Sequence, residues 1–406
     1  MRSEIKTKLI FDLPQDVIQE IFSKVPVTCL RRLRSTCKRL HALLKDRGFI
    51  KKYYDTRQYH ALMLLNFKVY SMSYNLHGVS MDVVPEGELS LIDPYRNNTN
   101  ADISQVFHCD GLLLCTTREN RLVVWNPFTG QKRWLQQQNR GRIDDNYILG
   151  YDNSYLCHSY KILRVPDIYY QKLETSQNSR RNLDVTPKGD LELKVDGISS
   201  NSRRRYLGVT TPRKDLELKL NDFSSNSWKN LDVITPKGCL KSYGVSLKGN
   251  AYWVYLSKQR GVNDYSLLSF DFATECFQHL CVPFHQEADC FDTTILSVGK
   301  GEHLSLLYQS CETLMVEIWI TNKIETTFVS WRKFLKVDIY TQLPMFSCRM
   351  SFFIEEEMKV AVCCDRNNKV YIVREDEYKV SSGFNFLEFE GVRCCLTLFG
   401  YVPRLV

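Results

Sequence analysis

The sequence predicts an α+β multidomain chain: a small N-terminal three-helix unit followed by a large all-β, propeller-like domain. Three observations carry the prediction. Apolar residues recur at helical spacing in the first 50 positions. From residue 60 onward, short β-rich runs bounded by Gly, Asn, Asp and Pro take over. Within that second part a strand–turn–strand unit recurs at roughly blade length, which is the mark of a repeat architecture.

The helical unit runs from Leu13 to Phe49, LPQDVIQEIFSKVPVTCLRRLRSTCKRLHALLKDRGF. Pro14 suits a first helical position, where its missing N–H costs nothing. Val17, Ile18, Ile21, Phe22 and Val25 then follow the spacing of one helix face, and Pro26 ends the run. A second short helix carries Leu30 and Leu33. A third, capped by Ser35 or Thr36, carries Leu40, Leu43 and Leu44. Fewer than about 40 residues cannot bury enough apolar area to stand alone, so the trio must lean on a neighbouring domain or another protein.

These residues resemble the F-box. The resemblance is carried by Leu13-Pro14, Asp16-Val17, Glu20-Ile21, Val25-Pro26, Leu30, Arg32, Arg34, Cys37-Lys38 and Leu43-Leu44, while Thr36 and Leu40 stand where the plant pattern usually has valine and tryptophan. It implies that Leu13, Pro14, Val17, Ile21, Val25, Pro26, Leu30 and Leu33 present an apolar surface to a Skp-like adaptor, and through it to a cullin.

In the β-rich part the clearest unit is GLLLCTTRENRLVVWNPFTGQKRWL, residues 111–135, with strands at Leu112–Cys115, Leu122–Trp125 and Lys132–Leu135. Looser versions recur at 249–283, 305–337 and 352–380. With strands around Tyr160–Val165 and Leu216–Val233, about five units can be counted. Closing such units into a ring leaves few exposed edges, so a radial propeller, or a sandwich of related hairpins, is economical. Trp125, Trp134, Trp253 and Trp331 lie in strand-like runs and read as core.

The motifs CDGLLLC (109–115), LVVWNPFTGQ (122–131), YKILR (160–164), SSNSWKNLDV (224–233), YGVSLKGNAYW (243–253), LLSFDFATECF (267–277) and LTLFGYVPRLV (396–406) resemble, in order, the plant F-box-associated domain of type 1. The resemblance implies a kelch-like receptor module that holds a client protein. The expected organisation is an F-box at 1–50, a linker and first strands at 51–105, and the F-box-associated β domain at 106–406.

One feature departs from that pattern. The unit Ser-x-Asn-Ser, followed by Leu-x-Val and Thr-Pro, occurs three times, with Pro187, Pro212 and Pro236 spaced 25 and 24 apart. Only the third copy keeps Trp228; Arg180 and Arg203 replace it in the others. The first two copies read as a tandem-duplicated insertion at about 174–223, a surface elaboration.

Charge is uneven. Residues 1–60 hold 14 Lys/Arg against 6 Asp/Glu, which leaves 40 of each in the rest of the chain. The basic residues Arg31, Arg32, Arg34, Lys38 and Arg39 come without the stacking aromatics or zinc-finger spacing that nucleic acid would call for. No apolar run approaches the ~18 residues of a membrane span, and the first residues lack a secretory signal pattern. The expected place is the nucleus and/or cytoplasm, with neither nucleic acid nor membrane as partner. The 15 cysteines contain no C-x-x-C pair and read as small buried hydrophobes. His279, Cys281, His285 and Cys290 are suitable ligand types at unsuitable spacing, so no metal or other cofactor is expected.

Catalysis needs a nucleophile, base or metal in a defined site, and none is legible. His108 and His158 read as satisfied strand residues, and Glu355-Glu356-Glu357 as a solvated hairpin turn. The expectation is therefore non-catalytic: a substrate-recognition subunit of a Skp-cullin-F-box type ubiquitin ligase, with no catalytic residue and an unidentified client. The rivals are a non-ligase adaptor, a ligand-binding propeller, and a degenerate duplicate without a client.

Overall fold

The computed structural model describes residues 13–25, 29–30, 33, 36, 38–43, 46, 48–49, 61–75, 82–127, 129–135, 145–153, 158–166, 218–225, 227–231, 238–259, 262–284, 292–299, 303–337, 346, 350–364, 369–375, 378–380 and 397–400. The described helices lie at the N-terminal end: α1 (Gln15–Ser23) and α2 (Lys38–Leu43). Everything described beyond residue 60 is strand or connection. The strands form six four-stranded antiparallel blades of a β-propeller.

Blade 1 contains β1 (Ala61–Leu65), β2 (Lys68–Asn75) and β3 (Asp82–Leu89). A small hairpin of β4 (Ile92–Asp93) and β5 (Thr99–Asn100) follows it. Blade 2 is β6 (Ile103–Cys109), β7 (Leu112–Thr117), β8 (Leu122–Trp125) and β9 (Lys132–Leu135). Blade 3 is β10 (Asn146–Asp152), β11 (Ser159–Val165), β12 (Lys219–Asp222) and β13 (Ser227–Asn230). In blade 4 the innermost strand is broken into β14 (Cys239–Leu240) and β15 (Val245–Leu247), both paired with β16 (Asn250–Gln259); β17 (Val262–Asp271) and β18 (Cys276–Leu280) complete it. Blade 5 is β19 (Thr293–Val298), β20 (Leu304–Gln309), β21 (Val316–Ile324) and β22 (Val329–Val337). Blade 6 is β23 (Phe352–Glu355), β24 (Val360–Cys364), β25 (Val370–Val373) and β26 (Tyr378–Val380). The last strand, β27 (Thr397–Gly400), returns to blade 1 and pairs with β1, Ala61 opposite Gly400 and Leu64 opposite Thr397. The ring is thus closed by hydrogen bonds between the two ends of the domain.

Blade packing explains the sequence pattern. A middle strand is covered on both faces by neighbouring blades, so it is largely apolar: every residue of β7, β8, β24 and β25 is buried. Outer strands meet water and are polar, as in β13 and β18. Trp125 and Trp253 are fully buried, whereas Trp134 and Trp331 are half-buried against neighbouring clusters. Three blades turn from third to fourth strand on the same device. The Asn126 carbonyl group of the side chain accepts from Thr129 N, the Asp222 carboxylate from Ser224 N, and the Asp271 carboxylate from Ala273 N and Thr274 N. These Asx turns are the repeated Asn/Asp corners of the sequence.

Strand alternation sorts the connections onto two faces. On the near face, where the chain enters β1 and β27 ends, the turns are short, as at Asp110-Gly111 and Lys248-Gly249. On the far face lie the strand ends that all the connections of eight residues or more join: β3 to β6, β9 to β10, β11 to β12, β13 to β14, β18 to β19, β22 to β23 and β26 to β27. The insertion expected at about 174–223 begins in the β11–β12 connection, but its expected end overruns β12, which is a strand of blade 3; residues 167–217 lie outside the described residues. The residues just before the third copy supply β12, with Leu218 and Leu220 buried, and the third copy itself supplies β13, with Trp228 half-buried against Tyr147.

The helical head shares a core with this ring. Phe22, Leu30, Leu40, Leu43 and Phe49 belong to one continuous apolar cluster with Leu62, Leu64, Leu113, Val123 and Trp125. The expected dependence of the head on a neighbour is met within the chain.

Candidate functional site

The apolar stripe of α1 divides in two. Ile18, Phe22 and Val25 turn into the shared core. Leu13, Val17 and Ile21, four residues apart, are 36%, 42% and 37% exposed. Pro14 is the residue before the helix rather than its first turn; its carbonyl accepts from Val17 N and Ile18 N, each at 3.1 Å. Asp16 sits in the first turn, favourably placed for the helix dipole. Glu20 and Lys24 pair at 3.3 Å on the exposed side, an interaction of small energetic weight. Leu13, Pro14, Val17 and Ile21 therefore form an open ridge. Val25 and Leu33 are half-buried against the core, Leu30 is wholly inside it, and Pro26 lies outside the described residues. Ser35 and Leu44 also lie outside them. The Thr36 hydroxyl donates back to the Leu33 carbonyl at 2.6 Å, so it closes the preceding turn instead of capping α2.

On the near face, single carboxylates join neighbouring blades. Asp110, in the β6–β7 turn, accepts from the Tyr160 hydroxyl at 3.1 Å and faces His158 Nδ1 at 3.2 Å; the His158 ring stacks on Tyr151. Glu275, in the β17–β18 turn, accepts from Lys161 Nζ at 3.1 Å and Lys229 Nζ at 2.9 Å. Burial would raise its carboxyl, but those two ammonium groups hold it below the usual range. Glu356 accepts from Arg332 at 2.6 Å and lies 3.0 Å from His303 Nε2. The Glu triplet is thus not a freely solvated turn: Glu355 is buried in β23, and Glu356 binds blade 6 to blade 5.

His108 is half-buried, and burial of its ring lowers its imidazole to about 4, so it is neutral near pH 7. Its Nε2 accepts from Gly111 N at 3.2 Å, which the neutral ring allows and the imidazolium would not. His279 contacts Ser266 Oγ at 2.9 Å between β18 and β17, on the side of the pair open to solvent. Among the described residues no group of three or more His, Cys, Asp or Glu is placed to hold a metal, and no helix is long and apolar enough to cross a membrane. His285 and Cys290 lie outside the described residues. Of nine described cysteines, Cys109, Cys115, Cys363 and Cys364 are buried. Cys29, Cys276 and Cys281 are exposed, so the reading of cysteines as core residues fails for those three.

Comparison with known proteins agrees with this architecture. Residues 10–52 match the F-box domain, and residues 60–406 match the F-box associated beta propeller domain. The second match begins at residue 60, so it includes β1 to β5 as well as the segment from 106 onward. The chain belongs to the family of F-box proteins with an F-box-associated propeller. An Arabidopsis thaliana chain named as an F-box protein, At3g17560, is 74% identical over 415 residues, covering 100% of both chains. The Arabidopsis thaliana F-box protein At5g42460 is 37% identical, with 97% of each chain covered. The F-box/kelch-repeat protein At3g17530 of the same plant is 37% identical, covering 91% of this chain and 89% of that one.

Proposed function

We propose that this chain is the substrate-recognition subunit of a Skp-cullin-F-box type ubiquitin ligase. The open ridge of Leu13, Pro14, Val17 and Ile21 would seat a Skp-like adaptor, and the propeller would hold a client protein. The observation that carries the reading is the division of α1: half of one apolar stripe fastens the head to the propeller, and the other half is left in water beside it. Topology supports the same division of labour, because the chain enters β1 at the near face while the strand ends joined by every long connection lie on the far face. Catalysis would then be proximity, with the client held near a conjugating enzyme that the chain does not contain. The chain acts in the nucleus and/or cytoplasm in this reading, where the adaptor and cullin must be met.

The test is co-elution of the full-length chain with purified Skp-type adaptor and cullin. A three-component complex is expected. Co-elution with adaptor while cullin runs separately would instead favour a non-ligase adaptor, and independent elution of all three would refute the proposal.

A further inference from the structure

Outside the head, the described large apolar side chain most open to water is Tyr95, at 67% exposure. It stands in the β4–β5 hairpin on the far-face rim, over the seam between blades 1 and 2. Exposed tyrosines are common, but this one is held. Its backbone N–H donates to the Asp93 carboxylate at 2.8 Å, and the Trp134 ring meets it edge-on at 5.7 Å and 88°. The Arg121 guanidinium lies over it, 5.5 Å from the ring centre, and is itself paired with the buried Asp93 carboxylate. One ring face is therefore supported by a cation fixed in place, and the exposure belongs to the other.

The cations around the ring are engaged. Arg96 pairs with Asp102 at 2.7 Å and Glu119 at 3.3 Å, and Arg121 pairs with Asp93 and Glu119. Arg118 lies 4.5 Å above the Phe67 ring. Lys132 Nζ donates to the Ile92 carbonyl at 2.7 Å. Two guanidiniums are thus paired with carboxylates and the third lies on Phe67, so no arginine of the shelf is free to grip a phosphate. A rigid aromatic supported by arginine, with little entropy to lose, has the character of an interface anchor.

We infer that the Tyr95 shelf is a contact for the client, and that the segment it takes is uncharged and apolar, a proline or aliphatic side chain lying flat on the open face of the ring. The inference rests on the reading of the propeller as the client-binding domain. It is tested with the full-length chain and two synthetic peptide pools, one neutral and rich in proline and aliphatic residues, the other acidic and phosphoserine-containing. Fluorescence anisotropy is read at low and high salt for the wild type, Tyr95→Ala and Tyr95→Phe, with melting curves for each.

The neutral pool should bind with little salt dependence, weaken about tenfold or more in Tyr95→Ala, and recover in Tyr95→Phe, which keeps the ring. Preference for the acidic pool, binding that fades with salt, equal binding by Tyr95→Ala, or no binding of either pool would each overturn the inference. Adaptor capture measured on the same samples separates the two proposals. If the adaptor is captured while the peptides fail, only the shelf is lost; if it is not captured, the ligase reading fails whatever the peptides do.

Discussion

Ile21 and Phe22 are consecutive in α1, yet Phe22 is 5% exposed in the shared core while Ile21 faces water. Phe22→Ala should lower unfolding stability by about 3 kcal/mol or more, measured by denaturant titration, because it leaves a cavity between head and propeller. Ile21→Asp should cost under about 0.5 kcal/mol, since its carboxylate stays solvated. His108 makes a second prediction. Its imidazole sits near 4 in the fold, below the ordinary 6.5, so between those values the unfolded chain binds the proton and the folded one resists it. Stability from this residue is complete above about pH 6.5 and is lost as pH falls toward 4, by roughly 2 kcal/mol. Melting curves across that window should show the slope, and His108→Gln, which can still accept from Gly111 N, should flatten it. The α1 stripe was legible in the sequence as one apolar face. Its division was not, because periodicity records which residues avoid water and not which neighbour covers them. Glu356 was misread for a related reason: its partners Arg332 and His303 come from another blade.

At the scale of elements, the third copy of the repeat and the residues just before it supply the outer half of the blade. Leu220 fills the core, Asp222 makes the turn by accepting from Ser224 N and Oγ, and Lys229 reaches Glu275. Just before the second copy Gly197 aligns with Asp222, and within it Arg203 aligns with Trp228, so that sequence lacks both the turn carboxylate and the aromatic. Asp222→Gly should therefore destabilise by about 1–2 kcal/mol. Excising Leu191 to Asp215 joins Asp190 to Leu216 and keeps Leu218 and β12 intact. Arg164 and Lys219 are paired across β11 and β12, so the two ends of the connection emerge side by side and a shorter loop can still close it. The excised chain should melt within about 3 °C of the full one by calorimetry; a fall of many degrees would show that the repeat is built into the core. Three strands of blade 2 were legible almost to the residue, since a run such as LVVW between turn signals fits a strand buried on both faces. The break between β14 and β15 was not, because its cause is packing: a Cβ on Gly244 would come within 2.6 Å of the Trp253 indole nitrogen.

For the whole molecule, about five repeats could be counted where six blades exist. The missing one is blade 1, whose strands come from opposite ends of the domain, β27 beside β1 to β3, so no contiguous stretch announces it. The ring should accordingly depend on its last strand. A chain stopped at residue 396 loses the pairing of Thr397–Gly400 with β1 and should melt many degrees lower or become insoluble, as judged by thermal denaturation and sedimentation. The two faces of that ring, one where the chain enters β1 and one where the strand ends joined by long connections lie, could not be seen before the strands were ordered.

The central claim is that the ridge left open on α1 is an adaptor surface, and calorimetric titration of a purified Skp-type adaptor into the full-length wild type and Ile21→Asp tests it most directly. Burying that carboxylate against an apolar partner should weaken binding about a hundredfold or more, at an unchanged melting temperature. Equal affinity of the two proteins, or a loss seen only together with unfolding, would contradict the claim.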